Sequence, residues 1–259
     1  MTLLQTYEMS VTFGGVRAVN EVNIEVSPGS MVGLIGPNGA GKTSLIDGVT
    51  GFVPSTGRVV FDGNEIGGLP AHKRAGLGLG RTWQSLELFD DLTVRENLQV
   101  ATERQSASGF LLDLVAPRRR RSTDAIDFAC DVLGIGDLMA RMPGQLSQGQ
   151  RKLVSAARAL SARPKLICMD EPAAGLDTLE SAKLGQRLRD IVDADISILL
   201  VDHDMGLVLS VCDFIYVMEF GRKIAEGTPT EIKENPVVIA AYLGVAGQTP
   251  ASGDVAGLP

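Results

Sequence analysis

The chain has 259 residues, 44% hydrophobic and 21% charged, an ordinary globular composition with ample material for a buried core. Its 24 Lys and Arg stand against 31 Asp and Glu, a net charge of −7, which argues against affinity for nucleic acid through a basic face. Cys130, Cys168 and Cys212 lie far apart with no C-x-x-C pair, which argues against a disulfide framework and a zinc site and fits a reducing cytosol.

MTLLQTYEMS at the start has neither the basic residues nor the apolar stretch of a signal peptide. The longest apolar runs, such as 196–201, are strand-sized and far short of a membrane span. A soluble chain is expected, with any membrane crossing left to other subunits. Gly14-Gly15, Pro28-Gly29 and Asp62-Gly63-Asn64 divide the first third into strands at 2–13, 17–26, 30–35 and 57–62, with a helix at 42–50. Thr93 and Ser122 read as N-caps of helices near 94–105 and 123–133, and a further helix runs over 148–162 until Pro164 ends it.

From there strand and helix alternate: LICMD at 166–170, a helix at 178–193, ISILLVD at 196–202 and a short helix at 204–211. Strands apolar throughout imply a parallel sheet covered on both faces. A hairpin at 214–227 and helices near 229–242 follow, then a Gly-, Ala- and Pro-rich stretch from Gly244 that predicts a flexible tail. The pattern gives an α/β core with an N-terminal antiparallel patch and a helical subdomain, about 86–162, inserted between two strands.

GPNGAGKTS, comprising Gly36, Pro37, Asn38, Gly39, Ala40, Gly41, Lys42, Thr43 and Ser44, lies between the strand MVGLI and a helix, the setting of a phosphate loop. Its glycines let backbone N–H groups turn toward β- and γ-phosphates, Lys42 supplies a point charge, and Thr43 offers a hydroxyl to Mg²⁺. GLGLG at 76–80 fails as a dinucleotide fingerprint because Arg81 stands where the third glycine belongs, so it reads as a small-residue strand or loop.

Asp170 and Glu171 end a buried strand at the sheet edge where α/β ligands bind. The first can hold Mg²⁺ through water, and the second can accept a proton from an attacking water. His203 follows a parallel strand toward the same edge, although an isolated histidine is more often structural; His72 carries only the structural reading. Gln84 leaves the core just before the helical insert, where an amide can touch both Mg²⁺ and the attacking water. Phe13 taken alone reads as core.

With GPNGAGKT, WQ, LSQGQ, LICMDEP, GLD and His203 in this order, the chain resembles the ATP-binding cassette (ABC) ATPases over roughly residues 3–243. The resemblance implies a P-loop NTPase core in a 1–243 ATP-binding domain, a 244–259 tail, ATP and Mg²⁺ as cofactors, and ATP hydrolysis coupled to transport. In that family two cassettes pack head to tail, each signature turn closing on the nucleotide held by the other. Leu146, Ser147, Gln148, Gly149 and Gln150 would then meet a partner's ATP. The match also makes Phe13 the adenine-stacking aromatic, Gln84 the Q-loop, Leu176-Asp177 the D-loop, His203 the switch histidine, and Thr43, Gln84 and Asp170 the Mg²⁺ contacts. Gln148 replaces the usual signature glycine, which leaves the local backbone geometry open.

FGGVRAVNEVNIEV, GLGRTWQSLELFDDLTVRENLQVA, DEPAAGLD and NPVVIAAYLG are similar to the branched-chain amino-acid and urea uptake branch. That branch implies a second cassette (a copy or a sister), two membrane permeases, indirectly a periplasmic or extracellular solute-binding protein, and a peripheral place on the cytoplasmic side of the cell membrane. The arginine-rich insert at 109–121 can be a solvated loop or reach anionic lipid or a membrane subunit. A lipid or lipopolysaccharide exporter cassette is the alternative within transport. A soluble cassette of translation or DNA repair is disfavoured because tandem cassettes, long coiled coils and basic surfaces are missing. A small-molecule kinase would have no use for LSQGQ.

Overall fold

Short apolar runs separated by tight turns build an antiparallel sheet from the first third of the chain. The computed structural model describes residues 2–82, 88–102 and 119–246. β1 (Leu4–Phe13) pairs antiparallel with β2 (Val16–Val22), β3 (Glu25–Val26) and β5 (Thr56–Phe61), and β6 (Asn64–Glu65) adds to β5. The expected strand at 17–26 is split. Thr6 Oγ1 donates to the Val22 carbonyl and accepts the Ile24 N–H, both at 3.0 Å, while Asn23 Oδ1 accepts the Glu8 N–H at 2.7 Å. Side-chain bonds thus satisfy the backbone where the ladder breaks. Beyond β5, Asp62 (φ 49°) and Gly63 (φ 75°) form a two-residue turn with both centres left-handed, so the chain folds back as β6.

The second sheet has the order β11-β10-β4-β9-β8-β7, with β4 at Met31–Ile35, β7 at Leu79–Arg81, β8 at Leu166–Asp170, β9 at Ser197–Val201, β10 at Phe214–Glu219 and β11 at Arg222–Gly227. All neighbours are parallel except the β10–β11 hairpin. The parallel strands are buried throughout because both faces are covered. On one face Leu166, Cys168, Leu199 and Val201 pack with Leu45, Ile46 and Val49 of α1 (Lys42–Thr50) and with the antiparallel sheet. On the other, Ile167, Met169, Ile198 and Leu200 meet α6 (Thr178–Asp193) and α7 (Met205–Val211) through Leu184, Leu188, Leu207 and Val208. Each such large side chain contributes about 1.5–3 kcal/mol on full burial.

A short α2 (Ala71–Gly76), absent from the sequence reading, precedes β7. Between β7 and β8 the chain inserts α3 (Val94–Thr102), α4 (Arg119–Leu133) and α5 (Gln148–Ser161). Thr93 caps α3 as expected: its hydroxyl accepts the Glu96 N–H at 3.3 Å and donates to the Glu96 carboxylate at 2.7 Å. Ser122 does not cap α4. Arg119, Arg120 and Arg121, strong helix formers, carry the helix upstream and leave Ser122 inside it. Residues 103–105 of the expected first insert helix, and 109–118 of the arginine-rich segment, lie outside the described residues.

After β11 come α8 (Pro229–Glu234) and α9 (Pro236–Ala246). α9 runs three residues past the expected domain boundary at 243, since its apolar run continues through Val245 and Ala246. The rest of the expected tail, 247–259, lies outside the described residues.

Candidate active site

Because β4, β9 and β8 are adjacent and parallel, their C-terminal ends deliver Gly36, Asp202-His203 and Asp170-Glu171 to one edge. Gly41 (φ 97°) precedes α1, and a Cβ there would lie 2.2 Å from the Ala18 carbonyl, so the loop tolerates only glycine. No side chain caps α1, which leaves its first N–H groups to an anion at the loop's mouth. Lys42 Nζ donates to the Gly36 and Pro37 carbonyls at 2.7 and 3.1 Å. An ammonium has three donors, so one remains for a phosphate. Lys42 is more enclosed than a residue facing ligand alone: burial depresses its pKa, while Glu171, Asp170 and Asp202 offset that.

Thr43 Oγ1 donates to Asp170 Oδ1 at 3.4 Å. Burial raises the Asp170 pKa, countered by that bond and by Arg81, whose Nη2 lies 3.7 Å from the carboxylate. One hydroxyl and one carboxylate are hard oxygen donors of the kind Mg²⁺ takes alongside phosphates and waters, so the residues fit that ion. Arg81 was read only as the residue that spoils a glycine motif. Its guanidinium also pairs with Asp47 on α1 and reaches Thr50 Oγ1 at 3.3 Å, bracing the phosphate-loop helix against β8. The charge is visible in the sequence, but its carboxylate partners meet it only through the fold.

Glu171 adopts φ 48°, its N–H donating to the Val201 carbonyl at 2.7 Å. This left-handed turn at the end of β8 redirects the chain, and such conformations in non-glycine residues gather at functional sites. Its carboxylate is 18% exposed, and His203 Nδ1 stands 3.9 Å from Oε1. His203 is 58% exposed and also faces buried Asp202, at 3.7 Å. Gln84 lies outside the described residues. Phe13, which read alone as core, is 48% exposed at the end of β1.

Ser147 N-caps α5. Its Oγ accepts the Gln150 N–H at 3.2 Å, and Gln150 Oε1 accepts the Ser147 N–H at 3.0 Å. The S-x-x-Q spacing of this capping box was available in the sequence. The Ser147 hydroxyl proton remains free to be donated outward. Leu146 turns into the core, whereas Ser147 and Gln148 are exposed. The turn meets the segment after Glu171. Gln148 Nε2 donates to the Ala174 carbonyl at 3.4 Å, and a Cβ on Gly175 would fall 2.4 Å from that nitrogen. Leu176 is half-buried beside it, and Asp177 caps α6 by accepting the Glu180 N–H at 2.8 Å.

A family model for the ABC transporter matches residues 19–174. The chain belongs to the ABC transporter family. As an ABC transporter ATPase it binds and hydrolyses ATP. A second model, the branched-chain amino acid ATP-binding cassette transporter, matches residues 222–247.

Among relatives, the high-affinity branched-chain amino acid transport ATP-binding protein BraF of Pseudomonas aeruginosa is 40% identical, over 94% of this chain and 98% of that protein. LivG of Escherichia coli, named for the same transport, is 38% identical over the same shares. The lipopolysaccharide export system ATP-binding protein LptB of E. coli is 36% identical, again over 94% and 98%. The crystal structure of an ATP-binding cassette of an ABC transporter in its ADP conformation is similar at TM-score 0.83 and 31% identity, covering 94% of this chain and 99% of that one.

The ordered turn around Gln148 answers the question its unusual signature raised. Gln148→Gly in this ABC ATPase removes one hydrogen bond and adds backbone freedom, each costing about 1 kcal/mol. The melting temperature should fall by roughly 4–8 °C. ATP turnover should stay within about tenfold of wild type, because a 3.4 Å amide contact to Ala174 contributes a net 0.5–1.5 kcal/mol at most. Calorimetry beside a steady-state ATPase assay checks both.

Proposed function

We propose that this chain is the ATP-hydrolysing subunit of an ABC importer for branched-chain amino acids or related small amides such as urea. The observation that carries the solute class is the match at residues 222–247, because that stretch is not required by the phosphate chemistry every cassette shares. BraF and LivG support the same branch. The likeness to LptB favours a second reading, a cassette for lipopolysaccharide export, over nearly the same length.

In the proposed cycle Phe13 stacks on adenine, residues 36–44 cradle the phosphates, and Lys42 draws the β- and γ-phosphates into the loop. Mg²⁺, held by Thr43 and Asp170 with phosphate oxygens, would neutralise charge on the transferring group. Glu171 accepts the proton of the attacking water, and His203 stands at the same edge to contact the γ-phosphate. Gln84 would link ion, water and helical insert. Ser147 and the first N–H groups of α5 close on the ATP of a second cassette, with Leu176-Asp177 at the same interface. ATP binding closes the pair, hydrolysis reopens it, and two permeases on whose cytoplasmic side the pair docks carry the motion across the membrane. A solute-binding protein delivers the cargo outside. Among the described residues no helix is long and apolar enough to cross a membrane.

The test is to purify the chain from membranes with its bound subunits, reconstitute the assembly in liposomes, and follow labelled leucine and urea. ATP-dependent accumulation of either, lost in Glu171→Gln, is the expected result. Co-purification with lipopolysaccharide and no uptake would favour the export reading.

A further inference from the structure

Lys152 sits five residues beyond the Ser147 cap on α5 and is 7% exposed. Its Nζ donates to the backbone carbonyl of Glu171 at 3.4 Å. Thr82, Met169 and Pro172 share its small cavity beneath the turn that follows β8. Burial depresses its pKa, and the charges of Asp202 and Glu171 oppose that. Asp202 is fully buried on the far side of the same turn, where its carboxylate accepts the Ala173 N–H at 3.1 Å and the Asp204 N–H at 3.0 Å. The left-handed Glu171 is therefore held through its own N–H by Val201, through its carbonyl by the Ala174 N–H at 3.2 Å and by Lys152, and through the next turn by Asp202. A buried cation is costly unless it is paired, and an apolar side chain would fill this space at less cost.

We propose that Lys152 is a positioning residue for Glu171: from the signature helix its ammonium grips the Glu171 carbonyl and fixes the turn that aims the carboxylate. Any shift of α5 as Ser147 engages a partner's nucleotide then changes the pose of the base in the same chain. The inference rests on the reading of Glu171 as that base.

Lys152→Met keeps the length and burial of the side chain without its donor. In the full-length chain it should lower kcat about 10- to 100-fold, the range for a misaimed catalytic group, with KM for ATP within about threefold. Lys152→Arg, which keeps a cation and donors, should regain most of that loss. In a Glu171→Gln background Lys152→Met should cost nothing further, since the group it positions is gone.

Normal kcat in Lys152→Met, an equal loss in Lys152→Arg, or a full additional loss on top of Glu171→Gln would each overturn the proposal. If Lys152→Met does not fold, Lys152→Gln takes its place with the same expectations, and failure of both to fold also overturns it, since positioning requires a fold that survives without the cation. Near-wild-type turnover in Glu171→Gln alone would instead sink the reading of the base. A slow Glu171→Gln beside a normal Lys152→Met would sink only the inference about Lys152.

Discussion

Glu171→Gln is expected to bind ATP with near wild-type affinity and to hydrolyse it roughly 10²–10⁴-fold more slowly. The amide matches the carboxylate in size and keeps one acceptor oxygen, but it cannot accept a proton from water. The loss corresponds to about 3–5 kcal/mol in the barrier. Binding persists because the cradle, Lys42 and the Thr43–Asp170 pair are separate from the substituted group. With hydrolysis blocked, the ATP-closed pair should accumulate and elute as a dimer on size exclusion. Wild-type turnover would remove Glu171 from the mechanism.

The second large effect concerns the sharing of sites between two cassettes. Lys42→Ala removes the charge proposed to draw phosphates in and leaves the Gly36 and Pro37 carbonyls without that donor. Ser147→Arg puts a bulky cation at the signature turn and deletes a helix cap worth about 0.5–2 kcal/mol. Each variant alone damages both interfaces of a symmetric pair and should be almost inactive. In a mixed pair one interface collects both lesions, while the other joins an intact cradle to an intact signature turn. ATPase activity in the mixture should rise well above the sum of the separate variants. Activity equal to that sum, in pairs shown to have mixed, would mean that Ser147 serves its own chain. Where the natural partner is a sister cassette, the two lesions are divided between the two proteins.

What could be read without the fold was whatever depends on neighbours along the chain. The phosphate loop, the LICMD strand with its terminal acids and the alternation after residue 165 each carry their meaning in a few consecutive residues. Sheet order does not. Nothing local places β9 between β4 and β8, yet that placement brings His203 within 3.9 Å of Glu171. Arg81 and Lys152 escaped for the same reason, because their partners lie far away in sequence or on a backbone carbonyl. Ser122 was misjudged because a polar N-cap signal was weighed above the helix-forming arginines before it. α2 was missed because it follows Pro70 in a stretch with little apolar periodicity. Phe13 went the other way: its apolar character suggested core, and the strand's end left it exposed.

The most direct measurement of the shared site is thiol cross-linking between Asn38→Cys in one protomer and Ser147→Cys in its partner, in the Glu171→Gln background. Both positions are exposed, while Cys130, Cys168 and Cys212 are buried, and burial pushes the Cys168 and Cys212 thiols up to about 12. Native thiols should therefore stay silent. A head-to-tail pair predicts a cross-linked dimer that forms with ATP and is lost without nucleotide. No inter-subunit product with ATP bound, or one formed equally without it, would contradict the account.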